Sequence, residues 1–351
     1  MAKYNPNLPS ESFDKADYEA LRNSNIPSGL VNTAHFDSAD NASVFFAREL
    51  DYIKSKSYDK QYPEFTALKI FPVSNEVPEG AETITYYSYE KTGFAKIISN
   101  YATDLPRADV KGEPTTSPIK GIGASYGYSM QEMRASRMAG KSLDVRKAES
   151  AHYQVDRLIN KVAWAGDADN KLVGILSTGN NIPVYTLSTV TATISGSSTT
   201  TTLWQYKTGD EIVDDIKGMI KQMTANTMAV ERADTIAMPP SIYDELSLRR
   251  MGTYDSLSVL EYIRKCLPDF TFERCPELEA TATETNPYAA SSKAVIVMFK
   301  NDPEKFTIEV PMQFYQYPLQ PKGLEIEVPC EARVAGAVIY YPMSLMIAAG
   351  V

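Results

Sequence analysis

The chain is 351 residues long, 43% hydrophobic and 23% charged, with a formal net charge of −9. This is the composition of a globular protein, and the length exceeds the usual single core, so two lobes are expected. The acidic balance excludes a dedicated nucleic-acid binder, which needs clustered Lys and Arg to neutralise phosphates, but not a protein that surrounds nucleic acid without gripping it.

Residues 1–34 are polar and broken by Pro6, Pro9, Pro27 and Gly29. Such a segment buries too little apolar surface to fold alone, and docking across a neighbouring subunit is one way to order it. Met1-Ala-Lys-Tyr-Asn-Pro-Asn7 carries no apolar h-region, so no secretory signal is expected. No run of about 18 apolar residues is present to span a membrane. Residues 38–57 predict a helix: Phe45, Phe46, Leu50 and Ile53 recur near helical spacing, Asp37 or Ser38 can cap it, and Pro63 ends any extension.

From Ile70 to Tyr128 the texture is that of strands. Ile84-Thr-Tyr-Tyr-Ser-Tyr89 is rich in strand formers. Gly93, an apolar patch Phe94–Ile98 and a polar linker Asp104–Pro114 follow, and Ile119–Tyr128 reads as the return strand. Two strand runs joined by a long excursion predict an extended hairpin. Polar and apolar residues are mixed along it, with no broad apolar face, so such an arm needs another surface to lie on.

A helix is predicted from Ser129. Gly140 interrupts it, and Ser142 can cap a second helix over 142–165, roughly 35 Å long at 1.5 Å per residue. Ala148, Ala151, Val155, Leu158, Ile159, Val162 and Ala163 share one side, while Arg146, Lys147, Glu149, Gln154, Arg157, Asn160 and Lys161 are expected to face away. Gly166 and the Asp167–Asn170 turn end it, and Leu172-Val-Gly-Ile-Leu176 follows at once.

Residues 177–208 are Ser/Thr/Gly-rich, and Thr186–Thr202 reads as a surface hairpin or loop at the entrance to a second lobe. Gly209–Met223 predicts a strong helix, Thr235–Met238 a strand ending at Pro239-Pro240, Ser241–Leu246 the start of a helix, and Ser256–Cys266 another. Ala294-Val-Ile-Val-Met-Phe299 predicts a fully buried strand. Phe306–Val310 and Leu324–Tyr341 predict strands, the last long enough to bend or cross between lobes. Strands and helices segregate rather than alternate, which is an α+β pattern.

The residues offer little site chemistry. Ala135-Ser-Arg-Met-Ala-Gly140-Lys141-Ser142 resembles a phosphate-binding loop, but Ala135 replaces the first glycine and the preceding residues read as helix, where that chemistry needs a strand. The two histidines, His35 and His152, are far apart, and no HExxH or comparable metal pattern exists. Cys266, Cys275 and Cys330 form no CxxC and are odd in number, so a reducing compartment fits best. Cys330 reads as a small buried residue. The carboxylate pairs Asp214-Asp215 and Glu325/Glu327 read as solvated surface rather than acid–base machinery. No catalytic, cofactor-binding or metal residue is therefore assigned, and an enzyme is not expected. Tyrosine is abundant, 22 against 12 Phe and 2 Trp. Its apolar ring and polar tip suit surfaces buried on association as well as strands.

The order of these elements resembles the major capsid proteins of tailed bacteriophages with the HK97 fold, and encapsulin shells share that fold. The resemblance implies an N-terminal arm over 1–60, an extended β-hairpin (the E-loop) over 75–128, and a peripheral domain from 61–74 and 129–176 with its spine helix at 142–165. It further implies an axial domain over 177–310 and C-terminal strands over 311–351 that return to the peripheral domain. Leu172–Leu176 resembles the short segment that follows the spine, and Ile236–Leu246 the strand–Pro–helix step of the axial domain. The implied function is a shell protein that self-assembles into pentamers and hexamers around double-stranded DNA without sequence-specific binding. Its E-loop would lie over a neighbour, with Tyr86, Tyr87, Tyr89 and Phe94 as anchors. The implied setting is a virion capsid assembled in the bacterial cytoplasm, with scaffold, portal and decoration proteins as further partners and no membrane. Some members form Lys–Asn cross-links; Lys91 and Lys96 lie in the E-loop segment, but no local pattern identifies an Asn or a catalytic Glu, so that activity is not carried over. An encapsulin-like compartment holding cargo enzymes is the alternative on the same fold, and a P-loop enzyme a remoter one.

Overall fold

The computed structural model describes residues 62–97, 105–139, 146–194, 197–252 and 256–351. The arm over 1–60, the helix expected at 38–57 and the Gly140–Ser142 junction lie outside these residues. Pro63–Val351 forms one compact unit.

A single turn, α1 (Ala67–Ile70), leads to the short strand β1 (Val73–Ser74). Three ten-residue strands follow, β2 (Thr83–Thr92), β3 (Asp109–Pro118) and β4 (Lys120–Ser129). Then come two helices, α2 (Met130–Ala139) and α3 (Arg146–Ala165). The middle of the chain holds β5 (Val184–Tyr185), the hairpin β6 (Val190–Ile194) and β7 (Ser197–Thr201), α4 (Gly209–Asn226), β8 (Thr235–Met238), α5 (Pro240–Leu248), α6 (Val259–Cys266), β9 (Thr271–Arg274) and β10 (Val295–Phe299). The chain closes through β11 (Phe306–Glu309), β12 (Met312–Gln316), β13 (Gln320–Lys322), β14 (Glu325–Val334), β15 (Gly336–Ile339) and β16 (Leu345–Ala349).

The centre is a five-stranded sheet in the order β5-β16-β10-β8-β9. Because side chains alternate along a strand, its two faces feed two different cores. Val295, Val297, Phe299, Leu345 and Ile347 join the core around α3, with Phe71, Trp164 and Phe306. Ile296, Met298, Met346, Ile236 and Met238 join the core beneath α4, α5 and α6. Burial on both faces explains why Val295–Phe299 reads as a continuous apolar run. The two expected lobes are thus two cores sharing one sheet. In the first, Phe71 packs 4.8 Å from Trp164, 5.2 Å from Phe299 and 5.7 Å from Phe306. Helices of the second start where their caps allow: Thr208 and Ser258 each accept from the N–H three residues on, and Glu211 and Glu261 return the bond.

α3 is a 20-residue helix, about 30 Å long. Gly166 turns the chain with φ +74, and the following segment comes back onto the helix end. Ile175 N donates to Ala163 O at 3.0 Å and Leu176 N to Trp164 O at 2.7 Å, satisfying carbonyls a helix terminus leaves open. Two residues on α3 depart from the helical-face expectation. Asn160 is buried, its Nδ2 donating to Glu277 Oε1 (2.9 Å) and its Oδ1 accepting from Ala67 N (3.1 Å). Leu158, expected inside, is 39% exposed. The helix is covered unevenly: the Thr66–Ala67 strap reaches Asn160, whereas the flank at Leu158 lies open beside β4.

The long run Leu324–Tyr341 is two strands in two sheets. β14 runs between β4 on one side and β12 and β13 on the other; β15 pairs with β11, which pairs with β1. The switch occurs at Gly336, whose φ is +79 and whose absent Cβ would strike Val173 O.

Strand pairing corrects the hairpin. β2 pairs over ten residues with β3, from Thr83↔Pro118 to Thr92↔Asp109, so the segment expected to be mostly polar linker is the return strand. Ile119–Tyr128, the expected return, lies in β4 and pairs with β14 instead. The physical reason is burial. β4 places Ile122, Ala124, Tyr126 and Tyr128 on the face turned toward α3, which a protruding ribbon could not cover, while β3 is polar enough to stand in water.

Candidate functional site

Among the described residues, no cluster of three or more His, Cys, Asp or Glu could hold a metal ion, and no helix is long and apolar enough to cross a membrane. Met130–Ala139 is helical where a phosphate loop would need a strand. Ser129 caps it, accepting from Glu132 N at 3.1 Å. His152 Nδ1 lies 2.9 Å from Asp156 Oδ2, and its ring packs edge-on to Phe314 at 4.5 Å. Burial pushes the Cys330 thiol up, away from the thiolate a nucleophile needs.

The pair Asp214-Asp215 divides. Asp214 is solvated as expected, but Asp215 is 1% exposed. It accepts from Trp204 Nε1 (3.0 Å), Ser188 N (3.1 Å) and Oγ (2.6 Å), and Lys207 Nζ (2.5 Å). Glu277 is likewise buried and saturated: Thr66 N, Thr66 Oγ1 and Asn160 Nδ2 all donate to it. The Glu277 network joins segments 117 or more residues apart, whereas the Asp215 partners lie within 27 residues of it; Asn160 and Glu277 also line an open pocket of about 380 Å³ with Phe65, Tyr153 and Arg157. Glu325 and Glu327 lie on the outer face of β14, with Lys322 Nζ 2.9 Å from Glu327 Oε2. The lysine holds the Glu327 carboxyl below its ordinary range.

What the structure does display is the hairpin. The β2–β3 register puts Thr85, Tyr87, Tyr89 and Lys91 on one face with Val110, Gly112, Pro114 and Thr116. The other face carries Ser88, Glu90 and Thr92 with Asp109, Lys111 and Glu113, and nearer the base Ile84 and Tyr86. The expectation of no apolar face is therefore corrected: alternation (period 2) on both strands sorts an aromatic and proline face from a charged one. On the first, Tyr87 is 63% exposed and Tyr89 70%. Their rings stack at 6.5 Å, and Tyr89 lies over Gly112, where a Cβ would meet its ring at 2.9 Å.

Tyr86 does something different. Its hydroxyl donates to Ile339 O at 2.8 Å and its ring meets Tyr340 edge-on at 5.0 Å, anchoring the hairpin to its own body. Phe94 sits near the tip, 73% exposed, with Ile97 and Leu105 also exposed and Gly93 turning at φ +121. The four expected contact residues thus fall into one base anchor and three exposed aromatics. The alternation Val110, Gly112, Pro114, Thr116 is the signal in β3 from which the face could have been found.

Beside the hairpin's root, a pocket of about 330 Å³ runs along α3, lined by Ile122, Gly123 and Ala124 of β4, Gln154, Val155, Arg157, Leu158 and Lys161 of α3, and Glu284. Among these, Arg157 bonds Glu284 through Nε (3.2 Å) and Nη2 (2.5 Å).

Residues 93–351 match the family model described as major capsid protein. No curated protein matches the chain. Among solved structures, the capsid of the Myoviridae phage XM1 is 17% identical, with TM-score 0.74 over 88% of this chain and 100% of that one. The capsid of an empty GTA particle is 13% identical, with TM-score 0.58 over 88% and 97%, and a Mycobacterium phage Ogopogo chain is 12% identical, with TM-score 0.57 over 85% and 96%. At these identities the likeness is one of fold.

Proposed function

The chain belongs to the major capsid protein family, and from that premise we propose that it self-assembles into pentamers and hexamers of an icosahedral shell enclosing the double-stranded DNA of a tailed phage. The HK97-like fold supplies the parts. Residues 1–60 act as the N-terminal arm, α3 as the spine of the peripheral domain, and residues 177–310 as the axial domain. The E-loop is the β2–β3 ribbon, and β4 belongs with the peripheral sheet. No catalytic step is invoked. The acidic charge suits a container whose DNA is confined rather than gripped.

The observation that carries the reading is the sorting of the hairpin. A two-stranded ribbon is marginal in water, yet this one turns Tyr87 and Tyr89 outward and fixes its root through Tyr86. An exposed aromatic face on a projecting arm is completed by a neighbouring subunit. Tyr87, Tyr89 and Phe94 are the proposed contacts. Each subunit gives one arm and receives another, a heterologous contact that closes into rings and shells, and several modest contacts per subunit reinforce one another. Scaffold, portal and decoration proteins and assembly in the host cytoplasm belong to the same proposal.

Deleting residues 82–118 and joining the ends with a short Gly/Ser linker tests it. The proposal expects folded subunits that form neither capsomers nor shells; unimpaired assembly would refute the role given to the hairpin.

A further inference from the structure

One buried carboxyl group lacks a full set of partners. β11 alternates its side chains: Phe306 and Ile308 enter the core around α3, and Thr307 and Glu309 take the opposite face. Glu309 is 3% exposed. Thr307 Oγ1 donates to its Oε1 at 2.7 Å, but its Oε2 has no hydrogen-bond partner among the described residues. Of its register neighbours, Gly336 in β15 has no side chain, and Ser74 in β1 accepts through Oγ from Glu76 N at 3.4 Å. Thr307 gives its one hydroxyl proton to Glu309, so the Tyr340 hydroxyl, 3.2 Å from Thr307 Oγ1, donates to that oxygen. The Tyr340 oxygen keeps its own lone pairs free.

A buried carboxylate is costly unless it is paired, and the groups around this one do not pair it. Burial raises the Tyr340 hydroxyl; the Thr307 bond opposes this, and Glu309, Tyr86 and Glu76 add to it. The groups whose charge reaches Tyr340 are thus all acidic. Glu76 begins the loop Glu76–Glu82, which also carries Glu79 and no Lys or Arg. The side-chain donors gathered here are all oxygens. Such a set suits hard cations, and an irregular one suits Ca²⁺ better than Mg²⁺, which demands near-ideal octahedral geometry. Two carboxylates completed by hydroxyl and water oxygens fill such a shell without a third acid.

We propose that Glu309 and Glu76 hold a hard divalent cation, Ca²⁺ in preference to Mg²⁺, with the Tyr340 hydroxyl and water completing its shell. The place gives the site a consequence. Tyr86 anchors the hairpin here: its hydroxyl donates to Ile339 O at 2.8 Å, and its ring meets Tyr340 edge-on at 5.0 Å. Glu76 precedes β2, and Glu309 lies in the sheet of β1, β11 and β15. The ion therefore ties the segment leading into the hairpin to that sheet. Bound, it neutralises the buried carboxylate and stiffens the hairpin's root; removed, it leaves the acidic groups facing one another. The site lies within one subunit, so it goes beyond the shell reading and its test needs no assembly.

Terbium is the probe, because Tb³⁺ replaces Ca²⁺ at oxygen sites and a tyrosine beside it sensitises its emission; Tyr86 and Tyr340 stand at this one. Excited through tyrosine, the unassembled subunit is expected to give saturable Tb³⁺ emission, which Ca²⁺ displaces at lower concentration than Mg²⁺ does. Glu309→Gln and Glu76→Gln should each raise the terbium dissociation constant about tenfold or more, the loss that even outer-shell partners of a metal cause. Glu76 is exposed, so its variant keeps the test decisive if Glu309→Gln does not fold. Stability is the second readout. Ca²⁺ should raise the melting temperature of the parent by several degrees but not that of Glu309→Gln. In chelator Glu309→Gln should melt no lower than the parent, since it removes a buried charge left unpaired. Emission that both substitutions leave unchanged would mark adventitious surface ions and overturn the site. A parent whose melting temperature ignores Ca²⁺, Mg²⁺ and chelator would overturn it as well. Neither result touches the shell reading.

Discussion

The Lys207 ammonium and the Asp215 carboxylate meet at 2.5 Å with both side chains 1% exposed. Asp215 has further donors in Trp204 and Ser188, so the pair fastens the segment before α4 to the helix itself. Removing one partner strands the other charge in the core. Asp215→Ala should destabilise the subunit by about 3–5 kcal/mol in denaturant titration, whereas Lys207→Met with Asp215→Leu should cost clearly less than Asp215→Ala alone. A double-variant loss equal to the sum of the losses of Lys207→Met and Asp215→Leu taken singly would show that the pair is not coupled.

Tyr86 and Tyr87 are adjacent in sequence and act on different bodies. Tyr86→Phe removes the bond to Ile339 O and should lower subunit stability by about 1 kcal/mol. Tyr87→Ser with Tyr89→Ser touches exposed rings and should shift stability within about 0.5 kcal/mol per site, yet slow or abolish assembly followed by light scattering. Normal assembly of the double variant would remove these tyrosines from the interface.

Gly336 sits where the chain leaves one sheet for another, at φ +79 and against Val173 O. Gly336→Ala should cost about 1–2 kcal/mol for the left-handed backbone alone, with the clash added, and should appear as a lower melting temperature and reduced yield of folded subunit. A variant as stable as the parent would mean that the switch tolerates a side chain.

Just before β8, burial raises the Asp234 carboxyl, but the bonds from Asn301 N (2.8 Å), Lys300 Nζ (2.9 Å) and Thr235 Oγ1 (2.9 Å) outweigh it and hold the group below its ordinary range. A depressed carboxyl adds stability that is complete above the unfolded value, near 4, and is lost as pH falls through the folded one. Urea midpoints of the unassembled subunit should therefore drop on acidification below about pH 4, and Asp234→Asn should flatten that part of the profile. An Asp234→Asn curve parallel to the parent's would assign the acid sensitivity elsewhere.

Much of the fold was legible because burial leaves a period. Val295–Phe299 announced a strand covered on both faces, and the apolar period of Gly209–Met223 a helix, whereas the helix expected from Ser256 begins at Val259 behind its Ser258 cap. The failures come from partners that the local pattern does not reveal, some distant in sequence and one, Lys207 beside Asp215, only eight residues away. Ile119–Tyr128 looks like a hairpin's return, and only β14, about two hundred residues on, reveals its true mate. Asn160 and Asp215 read as solvated until Glu277 and Lys207 are brought beside them. The hairpin's aromatic face was hidden by reading β3 as a linker, since a face exists only once two strands are in register.

Electron microscopy of the purified protein reads self-assembly without any substitution. Polyhedral shells or ring-shaped capsomers of five and six subunits are expected. A stable monomer that never assembles, alone or with a candidate scaffold protein, would contradict self-assembly.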